Sequence, residues 1–215
     1  MKEIVTSIKV FILFSVLLGL LYPLAITGIA QATMKDKANG SLIIENGQIV
    51  GSSLIGQKFD SPTYFNSRPS AVDYNAAGSG ASNLGPSSKK LVDRVKADIA
   101  KDNLSNNIPA DMVLTSASGL DPHISIENAK LQAQRIAKVR GLQISKLDEL
   151  ISNNTDSDFL GIWGGVNDLG VNDSAKESSL HGSVNVLKLN LDLDKANRKA
   201  LAKRVSLSTS VDKVK

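Results

Sequence analysis

Gly80-Ala81-Ser82-Asn83-Leu84-Gly85-Pro86-Ser87 has the glycine spacing of a loop that wraps a phosphate ahead of a helix. Such a loop works through backbone amides and one lysine that reaches the terminal phosphates. Here Pro86 stands in the lysine's place and has no amide to offer, while Lys89 and Lys90 come too late to repair the pattern. The dinucleotide fingerprint also fails, because Gly78-Ser79-Gly80 is followed by Asn83 where the third glycine belongs. Ser82, Asn83, Leu84, Gly85, Pro86 and Ser87 are therefore expected to form a contact loop or helix-start turn. No catalytic residue is assigned.

Asp121-Pro122-His123 sets a carboxylate and an imidazole two residues apart, types suited to acid-base or metal work. No third ligand stands at a recognisable spacing, so no metal site is expected. The simpler expectation is a helix start, with Asp121 accepting from first-turn amides and the helix beginning there or at Ser125. The chain has no cysteine and only two histidines, His123 and His181. That excludes disulfides, thiolate metal sites and cysteine nucleophiles. Gly-x-Ser-x-Gly is absent as well, so Ser118-Gly119 reads as a turn. Arg68-Pro69, the Ser82–Ser87 loop and Asp121-Pro122-His123 are conformationally special, and together they suggest one partner-contact surface.

These residues must be positioned by a chain of 215 residues, 42% apolar, which suffices for one ordinary domain beyond any targeting segment. Twenty-five basic residues against 21 acidic ones, scattered along the chain, argue against nucleic acid as a partner. Residues 1–9 form a short basic start, expected to be a cytoplasmic N-terminus. The uncharged run after Lys9 exceeds the roughly 20 residues that a helix needs to cross a bilayer, which makes residues 10–32 a transmembrane helix. The alternative is a secreted or periplasmic binding domain released by cleavage after Ala30-Gln31-Ala32, but the apolar stretch is long for a signal peptide. Ser15, Gly19, Pro23 and Thr27 recur at i+4 and offer a small-residue packing face to a neighbouring helix. Thr27 or that neighbour would cover the carbonyl freed by Pro23.

Asn46-Gly47 between apolar runs predicts a β-hairpin just after the span. Pro62 to Pro86 carries no period and predicts a long structured loop. An amphipathic helix should follow, with Pro86 near its first position and Leu91, Val92, Val95 and Ile99 on its apolar stripe. A second helix should run to Arg140 and be capped by Gly141, and a third should cover Ser145 to Ile151. Val184 to Leu193 alternates and predicts a strand, with a basic helix or tail over 195–215. The fold class expected is α+β, with one domain over 35–194 and a polar, glycine-rich surface excursion over 164–183.

Several pieces resemble the C subunit of the Kdp-type potassium-transporting P-type ATPase. They are the single span with Tyr22-Pro23, Leu54–Phe59, Tyr64–Tyr74, Ser82–Ser88, Ser118–Ser125, Ala129–Gly141 and Val184–Asp194. The resemblance covers most of the chain in order, and against the family pattern Gly164 to Ser183 is an insertion. It implies a non-catalytic subunit of a high-affinity importer, associated with a potassium-pathway subunit and an ATP-hydrolysing subunit. ATP and potassium would be handled by the complex, with no cofactor held by this chain alone. The family is described as a catalytic chaperone that raises the pump's ATP affinity, with Ser82–Ser88 as its nucleotide signature; bracing the ion-pathway subunit is the other implied role. Lys2 and Lys9 are balanced by Lys35 and Lys37, so charge barely orients the span. The resemblance places the chain in the bacterial inner membrane with its soluble domain on the extracytoplasmic side.

Overall fold

The computed structural model describes residues 1–101, 107–156, 158–159, 163–164 and 182–211. It opens with α1 (Lys2–Val16), a π-turn over Leu17–Leu21 and α2 (Tyr22–Thr33), which form one apolar helix of 32 residues. The π-turn explains how this helix accommodates Pro23. Tyr22 N–H bonds to the carbonyl of Leu17, five residues back, and this register shift immediately precedes the residue that has no N–H to give.

A one-turn helix, α3 (Lys35–Ala38), leads to β1 (Leu42–Glu45) and β2 (Gln48–Ser52), which pair antiparallel. The turn between them is Asn46 at φ 52° and Gly47 at φ 79°, the two left-handed residues that the hairpin signal requires. Met1–Ser52 form one compact unit and Ser53–Lys215 a second.

In the second unit, α4 (Lys89–Lys101) and the short α5 (Ala110–Val113) precede β3 (His123–Ser125) and α6 (Ile126–Arg140). The start of α6 is fixed by Ser125, whose side chain accepts from Asn128 N–H, and its end by Gly141 at φ 63°. The next helix, α7 (Ile144–Asn153), buries Leu147, Leu150 and Ile151, one helical face. β4 (Thr155–Asp156), β5 (Asp158–Phe159), β6 (Trp163–Gly164) and β7 (Ser183–Asn185) follow, and α8 (Val186–Val211) closes the described chain. β7 lies between β3 and β4, antiparallel to both, and β5 pairs with β6. Apart from Gly164, Gly182 and Ser183, the expected insertion over 164–183 lies outside the described residues. The α+β class with one long apolar N-terminal helix stands.

Two expectations fail. The strand expected to run to Leu193 ends at Asn185, and the alternating leucines belong to α8. The core takes Val186, Leu189, Asn190 and Leu193, a helical spacing. The partners β3 and β4 are only two or three residues long, so among the described residues no ladder exists to extend the strand. Asn185 instead caps the new helix, accepting from Lys188 N–H at 3.2 Å. At the other site α4 begins at Lys89, three residues after Pro86, because Ser87 and Pro86 occupy a turn closed by Ser88 N–H to Gly85 C=O at 3.0 Å.

The core gathers Phe65, Ile124, Ile136, Leu147, Ile151, Val184, Val186, Leu189 and Leu193. Phe65 comes from the long loop and is fully buried. Its burial contributes about 2–3 kcal/mol, and ties the loop to the helices.

Candidate functional site

A long loop must place its backbone polar groups somewhere, and here helices supply side chains where a sheet would supply a neighbouring strand. Asn190 on α8 accepts from Phe65 N–H and donates to Phe65 C=O, both at 2.9 Å. Gln132 on α6 treats Asn66 in the same way, at 2.7 and 3.1 Å. Both carboxamides are buried. Arg135 donates to the carbonyls of Pro62 and Tyr64 and to the side chains of Asn66 and Gln132. Arg140 donates to Thr63 C=O at 2.7 Å and to Asp194 at 2.8 Å, with its guanidinium 4.6 Å above the Tyr64 ring. Tyr64 O–H also donates to Asp194 at 2.8 Å, and that bond is the main reason its pKa is raised above the ordinary tyrosine value.

The second half of the loop meets the turn ahead of β3. Arg68 pairs with Asp121 at 3.0 Å, both side chains about one quarter exposed. Tyr74 O–H donates to Arg68 C=O at 2.7 Å, and Ser70 O–H to Gly119 C=O at 2.7 Å. Two glycines permit this closeness. A Cβ on Gly56 would drive into the carbonyl of Asp121, and one on Gly119 would lie 2.6 Å from Val72 and 2.8 Å from the Gly80 carbonyl, at a φ of 67°. An open cleft of about 570 Å³ results, lined among others by Arg68, Asp121, His123, Asp111 and Glu127.

Of the sequence-predicted residues, Arg68, Asp121 and His123 thus come together. Asp121 does not start a helix, because α6 begins later. Its carboxylate accepts from His123 N–H at 3.0 Å and binds Arg68, while His123 belongs to β3. The Pro122 carbonyl accepts from Val186 N–H at 2.9 Å, and Pro69 borders a neighbouring cavity of about 320 Å³. The Ser82–Ser87 loop does not line the cleft. It is tethered at its start, through Gly80 N–H to Ser118 C=O at 2.9 Å and Thr115 to Ser82 at 3.4 Å, and then runs exposed through Asn83, Gly85, Pro86 and Ser87. In the apolar helix Ser15, Gly19, Pro23 and Thr27 are all exposed, and the space beside Gly19 is open.

Sequence reasoning missed the residues that hold this arrangement: Gly56, Asp111, Gln132, Arg135 and Asn190. Asp111 accepts from Ser125 N–H and O–H and from Asn128, which locks the start of α6. A signal was present for two of them. Gln132 and Asn190 sit on the apolar stripes of their helices, where a polar residue must find a buried partner.

The family profile described as "K+-transporting ATPase, c chain" matches residues 4–195. A potassium-transporting ATPase KdpC subunit of Koribacter versatilis is 46% identical over 90% of this chain and 94% of its own length. Its counterpart in Cereibacter sphaeroides is 47% identical over 85% and 91%, and that of Mycobacterium bovis 39% identical over 90% and 98%.

Proposed function

The chain belongs to the KdpC family, subunits of a potassium-transporting ATPase, and from that premise we propose a non-catalytic, membrane-anchored accessory subunit that acts by contact. The observation that carries this reading is the state of the Ser82–Ser88 loop. A phosphate cradle needs free converging amides and a nearby cation. Here Pro86 has no amide, Ser88 N–H is spent on Gly85 C=O, and Gly85 has nothing within 4 Å of where a side chain would start. That is a surface for a protein partner.

In this proposal the Ser15, Gly19, Pro23 and Thr27 face packs against a helix of the pump, and the Arg68, Asp121 and His123 cleft meets another subunit. The companions are the potassium-pathway subunit and the ATP-hydrolysing subunit. Residues from Lys35 onward lie on the extracytoplasmic side of the inner membrane. ATP in the cytoplasm then cannot reach Gly80 or Gly85, so any rise in the pump's ATP affinity is a coupling between distant sites, worth about 1–3 kcal/mol in known cases.

Purification in mild detergent tests the reading. Two larger membrane proteins should accompany the chain, and Arg68→Ala should reduce their recovery. A soluble chain beginning at Thr33, without companions, would overturn it.

A further inference from the structure

The hairpin β1–β2 leaves apolar side chains in the open: Ile44 and Ile49, cross-strand partners, are 61% and 64% exposed and Leu42 is 46% exposed, while Met34, between α2 and α3, is 52% exposed. The hairpin is also tied to the end of the apolar helix. Gln31 donates to Asn39 at 3.1 Å, Ser41 N–H to Asp36 C=O at 2.8 Å, and Ser52 O–H to Gly40 C=O at 2.7 Å, all inside the compact unit Met1–Ser52.

Helix length sets the depth. Thirty-two residues at about 1.5 Å each give roughly 48 Å, against a hydrocarbon core of about 30 Å. The uncharged stretch from Val10 to Ile29 accounts for that core, which puts Thr33, Met34 and Lys35 at headgroup level. Lys35 and Lys37 then stand where lipid phosphates are, beside the apolar hairpin.

We propose that Met34–Ser52 is an interfacial collar, with Ile44, Ile49, Leu42 and Met34 seated at the boundary between headgroups and acyl chains and Lys35 and Lys37 on anionic headgroups. Basic groups next to exposed aliphatic ones are the composition that binds a lipid surface, and this segment is tethered to one by its own helix. The collar fixes the height and tilt of the span. This inference rests on the membrane-anchored reading above.

This chain has no native cysteine, so a single one can be placed in it and tested in the full complex, its companion subunits freed of reactive cysteines, in lipid nanodiscs containing phosphatidylglycerol. An environment-sensitive fluorophore is attached at Ile44→Cys, at Ile49→Cys, or at Leu18→Cys inside the span. Lipids then carry a spin label either just below the headgroup or deep in the acyl chain. Emission at positions 44 and 49 should be blue-shifted and quenched mainly by the shallow label, and at position 18 mainly by the deep one. Positions 44 and 49 unquenched while 18 is quenched would overturn the collar; a red-shifted emission would then mean water, and a blue-shifted one a protein partner. Position 18 unquenched by both labels would remove the anchor, and the collar with it.

Discussion

The two halves of the long loop look alike in sequence, both carrying Asn, Ser and Pro without a helical or strand period, yet they are built in opposite ways. Tyr64 to Asn66 is clasped by Asn190, Gln132, Arg135 and Arg140, so its backbone is bonded as completely as a strand's. Asn83 and Gly85 to Ser87 are exposed, and Ser88 N–H closes one turn on the Gly85 carbonyl. Motif-like density therefore has two separate causes in one loop: residues the fold needs in order to close, and residues displayed at the surface. Where the backbone hydrogen bonds go distinguishes the two.

The sharpest way to break the first half is to remove a clasp. Asn190→Ala leaves the N–H and C=O of Phe65 buried without partners and should destabilise the protein by about 3 kcal/mol or more, read as a lowered midpoint in chemical unfolding. Gly119→Ala forces a left-handed residue against Val72 and the Gly80 carbonyl, and should cost about 2–3 kcal/mol. A midpoint within error of wild type for Asn190→Ala would show that the clasp is not needed, and for Gly119→Ala that the close approach at the turn before β3 is not.

The same contrast explains what was legible in the sequence. Local signals sufficed wherever one residue type dictates a conformation: Asn46-Gly47 for the hairpin and Gly141 for the end of α6, while its start stayed open between Asp121 and Ser125. The clasp of Phe65 by Asn190 joins residues 125 positions apart, and no local pattern announces such a pairing. Val184 to Leu193 misled for a related reason, since leucine alternation fits a strand, but from Val186 onward the same residues form α8, and their partners among the described residues, β3 and β4, are too short to hold a longer strand. For the cleft, the sequence singled out Arg68, Asp121 and His123 as special, while the glycines that let them meet show their purpose only once Gly56 lies against Asp121.

A smaller effect comes from Tyr74, at the junction of the two halves. Its burial, followed by the charges of Asp60 and Asp73, pushes its pKa from the ordinary value of 10.0 up to about 12. Between those values the folded chain holds a proton that the unfolded chain has released, so stability is full below pH 10 and falls as pH rises toward 12. The group is partly solvated, so the loss is about 1 kcal/mol. Tyr74→Phe should flatten the fall in unfolding free energy across that window; an unchanged slope would place its cause elsewhere.

Arg68→Ala belongs to the cleft rather than to the clasp. It removes a partly exposed ion pair, while Asp121 keeps its bond from the His123 amide, so unfolding should shift by only about 1 kcal/mol. Recovery of the companion subunits should fall much further than that shift explains. Parallel losses of stability and assembly would assign Arg68 to the scaffold.

The smallest effect on stability is expected in the displayed half. A methyl group added at Gly85 meets nothing within 4 Å, and the backbone there is not left-handed, so Gly85→Ala should move the unfolding free energy by less than about 0.5 kcal/mol. What it changes depends on what touches the loop. A nucleotide cradle would lose affinity for ATP measured on the isolated chain; a contact surface would show its loss only in assembly or in the pump's apparent ATP affinity. Topology separates these cases without relying on small energies. A single cysteine at Ser88, next to the exposed turn, should react with a membrane-impermeant maleimide in cells whose outer membrane alone has been opened. Labelling that waits for the inner membrane to break would put the loop on the ATP side and return direct nucleotide contact to consideration. Labelling from outside would leave coupling through the companion subunits as the route open to any influence of this loop on hydrolysis.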